Sequence, residues 1–146
     1  MSDASKADTS EALAWSARSA PSLSDMEAMA ADAYARLPDG FRAMCGNLVI
    51  NVEDFPTDEV QDEMETESPF DLLGLFQGIG LAQGYELASG ALPNMIFLYR
   101  RPILDYWAEH EETLGDIVTH VLVHEIGHHF GLSDDDMERV EQEAGT

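Results

Sequence analysis

One short run near the C-terminal end of the chain constrains the fold more than any other part of the sequence. Residues 120–136 read His-Val-Leu-Val-His-Glu-Ile-Gly-His-His-Phe-Gly-Leu-Ser-Asp-Asp-Asp. Within this run, His124, Glu125 and His128 form the pattern H-E-x-x-H. Side chains four residues apart lie on one face of an α-helix, so the two imidazoles can bind a single metal ion. The pattern therefore predicts a helix that carries a metal site.

The chemistry of the three side chains indicates which metal and which roles to expect. Two neutral imidazoles suit zinc, and a catalytic zinc site needs a third protein ligand and an open position for water. Glu125 directly follows His124, so its carboxylate can reach that water without binding the metal. We expect Zn²⁺ as the cofactor, His124 and His128 as ligands, and Glu125 as the catalytic base.

The motif continues beyond the second histidine as H-E-x-x-H-x-x-G-x-x-D, with Gly131 and Asp134. Glycine at this point lets the chain leave the helix with a positive φ and turn back sharply. Asp134 then falls where a third ligand can approach the metal. The pattern resembles the metzincin signature, with aspartate in place of the third histidine.

The sequence leaves alternatives for the remaining ligands. Three other acidic residues lie near Asp134 and could serve as the third ligand: Asp135, Asp136 and Glu138. A fourth protein ligand would close the site. His120 lies one turn before His124 on the metal side, whereas His129 points about 100° away from His128 and is the poorer candidate.

The helix that carries the motif, from about residue 112 to residue 130, is apolar on nearly all sides. Such a helix is expected to be buried. Ionisable histidines on a buried helix are costly unless they are paired or bound to a metal, and this favours a metal site over a chance match.

The rest of the chain alternates helical and extended patterns. A helix starts at the predicted capping box of Ser24 and Glu27 and ends before Pro38. An acidic run at 57–67 indicates a solvated loop or short helix. Residues 78–90 form a glycine-rich segment, predicted as a flexible rim to a substrate groove. The other predicted elements are strands at 47–53, 71–77 and 94–100 and short helices at 101–107 and 135–143.

Length and cysteine content bound the organisation of the protein. The chain has 146 residues, which predicts one domain at 22–146 preceded by a mobile tail at 1–21. The N-terminus has no secretory signal pattern, and no apolar run is long enough to cross a membrane. A single cysteine, Cys45, excludes an internal disulfide and fits a reducing compartment. We therefore expect a cytoplasmic protein.

The chain is strongly acidic, with 7 Lys and Arg against 29 Asp and Glu and a net charge of −22. This charge repels nucleic acid and anionic membranes, so neither is expected as a partner. Its simplest role is solubility. We favour a monomer.

These features together resemble the small bacterial zincin-like metallopeptidases. The resemblance covers roughly residues 25 to 140. It implies an α+β fold, a minimal zincin-like fold in which a small twisted mixed β-sheet packs on helices, with the active-site helix near the C-terminus. It also implies a zinc peptidase acting on a peptide or protein substrate. The matching segments are Leu37-Pro38 with Phe41-Arg42, 52–54, 73–78, 98–104 and 123–132.

The resemblance leaves several roles open. A peptidase needs a donor for the developing oxyanion, and the predicted candidates are Tyr99, Arg100 and Arg101 at the edge of the substrate groove. No separate Met-turn follows the motif. Met137 either packs in the core or lies beneath the metal.

Two other functions compete with the peptidase. One is a latent or non-catalytic interaction protein whose zinc is structural. The other is a metal-dependent ribonuclease-like hydrolase, which is disfavoured by the glutamate after the first histidine and by the net charge.

Overall fold

The computed structural model describes residues 13–78 and 93–145. Most of the predicted tail lies outside the described residues, although residues 13–16 form one helical turn. The predicted glycine-rich rim also lies outside them, except for Gly78. No helix in the described ranges is long and apolar enough to cross a membrane.

The chain folds into helices around a small sheet, which confirms the predicted α+β class. One helix was not predicted, because its seven residues between Pro38 and Gly46 are too few to show a helical period. The acidic run contains a short helix capped by Thr57. The described elements are α1 (Leu23–Ala35), α2 (Asp39–Cys45), β1 (Leu48–Glu53), α3 (Asp58–Glu63), β2 (Gly74–Gln77), β3 (Asn94–Tyr99), α4 (Arg100–Glu109), α5 (Leu114–His129) and α6 (Asp134–Gly145).

The capping box of α1 begins two residues earlier than predicted. The Ser22 hydroxyl accepts from the Asp25 amide at 3.1 Å, and the Asp25 carboxylate accepts from the Ser22 amide at 2.9 Å. Two overlapping serine–acid pairs satisfy the same spacing rule, so the sequence alone does not choose between them. Arg100 Nε donates to the Pro21 carbonyl at 2.6 Å, and this long-range bond fixes where the chain enters the helix.

The sheet has three strands in the order β1-β3-β2. β1 runs parallel to β3, with Ile50 opposite Ile96, and β2 runs antiparallel to β3, with Gly74 opposite Leu98. The mixed sheet predicted from the family resemblance is therefore confirmed. Ile96 and Leu98 are fully buried, which places one face of the central strand in the core.

Helix α5 lies at the centre of the molecule, as its apolar sequence predicts. It contacts α1, α4, α6 and the strands β2 and β3. The accessible residues of the helix lie at its two ends and around His120 and His124. The buried residues of α5 are Leu114, Ile117, Val118, Val121, Leu122, Val123, Ile126 and Gly127.

The sheet approaches α5 closely at Gly74. A Cβ at this position would lie 2.8 Å from Val121 Cγ1 and 3.0 Å from the Phe97 carbonyl oxygen. The missing side chain therefore allows β2 to pack directly on the helix.

Helix α5 ends as predicted, at a glycine with positive φ. Gly131 has φ 76°. The Leu132 amide donates to the Gly127 carbonyl at 2.9 Å, and the Gly131 amide donates to the His128 carbonyl at 3.2 Å. These two bonds form a Schellman motif, which reverses the chain so that α6 folds back along α5.

Helices α5 and α6 pack through a glycine and a methionine. Met137 is fully buried. A Cβ added at Gly127 would meet Met137 Sδ and lie 2.7 Å from Met137 Cγ. Met137 is thus a core residue that sets the distance between the two helices.

We predict that Gly127→Ala lowers the free energy of unfolding by about 1–3 kcal/mol, because the new methyl group displaces the buried Met137. Gly115→Ala is the matched control on the same helix, since nothing lies within 4 Å of its added Cβ. The control should be neutral or stabilising by up to about 1 kcal/mol. Urea denaturation measures both, and equal stability of the two variants would contradict the proposed packing.

Candidate metal centre

Three histidines line the accessible edge of α5 at intervals of one turn. The His120 and His124 rings stack with their centroids 3.9 Å apart. The His124 and His128 rings are nearly perpendicular, at 84°, with centroids 5.6 Å apart. His120 and His128 are exposed, and His124 is partly buried. The helix thus presents a column of imidazoles to solvent.

The separation of His124 and His128 fits a shared zinc ion. Two imidazoles that bind one tetrahedral zinc through bonds of about 2.0–2.1 Å place their ring centroids about 5 Å apart. The observed 5.6 Å differs from this by a small side-chain movement. The two residues that the motif singles out can therefore hold zinc together.

A glutamate of α6 joins the histidine column. The Glu141 carboxylate contacts His120 Nδ1 at 2.9 Å through Oε1 and His124 Nε2 at 3.2 Å through Oε2. Among the described residues, one group of three side chains offers ligand atoms that all lie within 4.8 Å of one another: His120, His124 and Glu141. His128 and Asp134 lie outside this group.

Sequence reasoning missed Glu141, because its position depends on how α6 packs. A signal was present nonetheless. Glu141 follows Asp134 by seven residues, so the two carboxylates lie within about 20° of each other on one face of α6. Because α6 folds back along α5, this face carries two carboxylates alongside the column of three histidines.

Burial sets the protonation behaviour of Glu125. Its side chain is partly buried, and this burial raises the pKa of the carboxyl group, while nearby His128 acts in the opposite direction. A carboxylate with a raised pKa binds a proton more readily than an exposed one. Glu125 therefore has the properties of a general base next to one of the predicted ligands.

Burial also acts on His124. Its pKa is lowered, first by burial and then by the neighbouring His120, while Glu141 opposes the shift. The lowered pKa favours the neutral imidazole, which is the form that binds a metal.

Of the three residues predicted to contact a substrate, Tyr99 is buried. Tyr99 is 1% exposed, so in this conformation its hydroxyl is inaccessible to a substrate. Burial, followed by the charges of Glu53 and Glu125, raises the pKa of Tyr99 to about 12. Tyr99 therefore stays protonated at neutral pH.

The two arginines have partners within the fold. Arg100 donates to the Asp54 carboxylate at 3.0 Å and to the Pro21 carbonyl, so it ties the start of α4 to the end of β1. The Arg101 guanidinium lies 5.7 Å from the centroid of the Phe55 ring. These contacts favour a structural role for both side chains.

The remaining candidate ligands differ in their positions. His129 packs on Phe76, with centroids 4.3 Å apart, so it points away from the histidine column as expected. Asp134 is exposed at the first position of α6. The alternative ligands also lie on α6, in its first two turns: Asp135, Asp136 and Glu138.

The family model for zincin-like metallopeptidases matches residues 45–144, which is more than half of the chain. The chain therefore belongs to the zincin-like metallopeptidase family, as its sequence motifs indicated. The match excludes α1 and most of α2, so the resemblance at Leu37-Pro38 and Phe41-Arg42 falls outside it. No curated protein matches the chain. Membership implies a metal, usually zinc, and a peptidase type of chemistry.

We predict that Glu125→Gln makes the metal-free protein more stable at neutral pH. The pKa of Glu125 is higher in the folded chain than the ordinary value of 4.5. The contribution of Glu125 to the free energy of unfolding is therefore present when the pH is below that ordinary pKa. It is lost as the pH rises through the pKa that Glu125 has in the folded chain. Glutamine has no charge to bury and escapes this loss.

Thermal denaturation with a chelator present measures the effect. The variant should melt higher than wild type at pH 7.5, and the difference should vanish as the pH falls below about 4. A difference that is independent of pH would mean that Glu125 is not destabilised by its own charge.

Proposed function

We propose that the protein is a zinc-dependent peptidase that hydrolyses peptide bonds in peptide or protein substrates. The observation that carries this proposal is the pairing of His124 and His128, with centroids 5.6 Å apart, beside the partly buried Glu125. Family membership supports the same reaction class.

In this proposal His124 and His128 hold the metal, with Asp134 as third ligand. When bound there, zinc supplies a Lewis acid that polarises the substrate carbonyl and makes a water molecule more acidic. Asp134 can approach once its exposed side chain turns towards His128. Its position at the start of α6, directly after the reversal at Gly131, supports this assignment.

Glu125 performs the proton transfers. Its carboxylate accepts the proton of the attacking water and then gives it to the leaving amine nitrogen. Burial helps both steps, because a raised pKa brings the carboxyl group closer to the range where it can accept and release a proton near neutral pH. Tyr99 is buried and protonated, so it adds no competing charge.

We predict that zinc-loaded wild type cleaves members of a random peptide pool, read by mass spectrometry, and that Glu125→Gln reduces cleavage about 10²–10⁴-fold. The variant should still bind zinc, since Glu125 is not a ligand. Unchanged turnover in Glu125→Gln would remove this residue from the mechanism.

Two adjacent histidines provide a matched control for the metal ligands. His128→Gln should lose cleavage because it removes a proposed ligand. His129→Gln should keep cleavage, because His129 packs on Phe76 instead of facing the column. If wild type with confirmed bound zinc cleaves nothing in the pool, a latent or non-catalytic zinc protein replaces the peptidase as the better account.

A further inference from the structure

We propose that the protein has a second zinc position, formed by His120, His124 and Glu141, which shares His124 with the peptidase position. Because both positions use His124, a zinc ion in one position excludes a zinc ion from the other. The inference rests on the proposed function only in naming His124 as the shared ligand. It assigns a role to Glu141, which the proposed mechanism leaves unused.

The donor atoms have the spacing of a zinc site. A tetrahedral zinc with bonds of about 2.0–2.1 Å holds its ligand atoms about 3.3 Å apart. Glu141 lies 3.2 Å from His124 Nε2 and 2.9 Å from His120 Nδ1. All three ligand atoms lie within 4.8 Å of one another. The stacked His120 and His124 rings, whose centroids are 3.9 Å apart, must rotate apart to about 5 Å to bind one ion.

The donor set is also chemically suitable. Two imidazoles and one glutamate are the ligands of some catalytic zinc sites, and three protein ligands leave one position for water. Imidazoles bind zinc in their neutral form, and a single carboxylate adds one negative charge to the donor set.

A cavity lies beside one member of this group, Glu141. It measures about 620 Å³ and lies between α1, the first half of α5 and α6, with Glu141 in its wall. Asp116 and Glu138 also line it, together with the ion pair of Asp32 and Arg36. Carboxylates in such a wall raise the local concentration of cations.

The arrangement of the two helices explains why two positions exist. The column on α5 has three histidines one turn apart, and the facing side of α6 has Asp134 and Glu141 two turns apart. His124, in the middle of the column, can bind with His128 and Asp134 or with His120 and Glu141. An ion in the second position withdraws His124 from the peptidase position.

The test removes the peptidase position and asks whether zinc still binds. His128→Ala with Asp134→Asn changes two exposed residues outside the proposed group. Titration with Zn²⁺ in competition with a chromophoric chelator should show about one ion per chain. Adding Glu141→Gln or His120→Ala to this double variant should weaken zinc binding by more than about tenfold.

Asp116→Asn in the double variant is the matched control. It removes the same charge from the same cavity wall but belongs to no proposed ligand group, so the Kd should change by less than about threefold. If the double variant fails to fold by circular dichroism, His128→Ala alone replaces it, because this change removes a ligand of the first position only.

The proposal is overturned if the double variant binds no zinc. It is also overturned if neither Glu141→Gln nor His120→Ala changes the affinity of the double variant for zinc. In that case the carboxylate only hydrogen-bonds the two imidazoles. The result is independent of catalysis, since peptide cleavage by wild type tests the first position and zinc binding by the double variant tests the second.

Discussion

The packing of Met137 against Gly127 is the contact on which the site depends. It holds α6 close to α5 at the level of the metal motif, where a larger residue than glycine would displace the methionine side chain. The chain reversal at Gly131 sets the direction of α6, and the buried Met137 side chain sets the distance between α6 and α5. As a consequence, the acidic face of α6 lies along the histidine column of α5, and Glu141 reaches two of the histidines.

Burial of α5 on nearly every side has a second consequence, which is electrostatic. Glu125 and His124 are both partly buried on this helix. Burial raises the pKa of the Glu125 carboxyl group and lowers the pKa of His124. Both shifts have desolvation as their first cause, and both suit the proposed chemistry: a better proton acceptor next to a neutral metal ligand. The stability lost by burying these groups is offset by the apolar core around the helix, which has its own fully buried residues in Leu122 and Ile126.

The sequence predicts what depends on spacing within one element. His124 and His128 share a face because they are four residues apart, and Gly131 ends the helix because it alone tolerates the positive φ of the reversal. Features that depend on packing between elements were not predictable in the same way. Glu141 belongs to the site through the fold-back of α6, and Arg100 is tied to Pro21 across 79 positions of the chain.

The central claim is that zinc binds between His124 and His128, beside Glu125. The most direct measurement is an anomalous difference map, recorded at the zinc absorption edge from crystals of the zinc-loaded Glu141→Gln variant, in which the second zinc position lacks its carboxylate. The account predicts a peak about 2.0–2.1 Å from a ring nitrogen of each of these two histidines. A map with no peak in contact with His128, whether zinc lies elsewhere or nowhere on the chain, would contradict it.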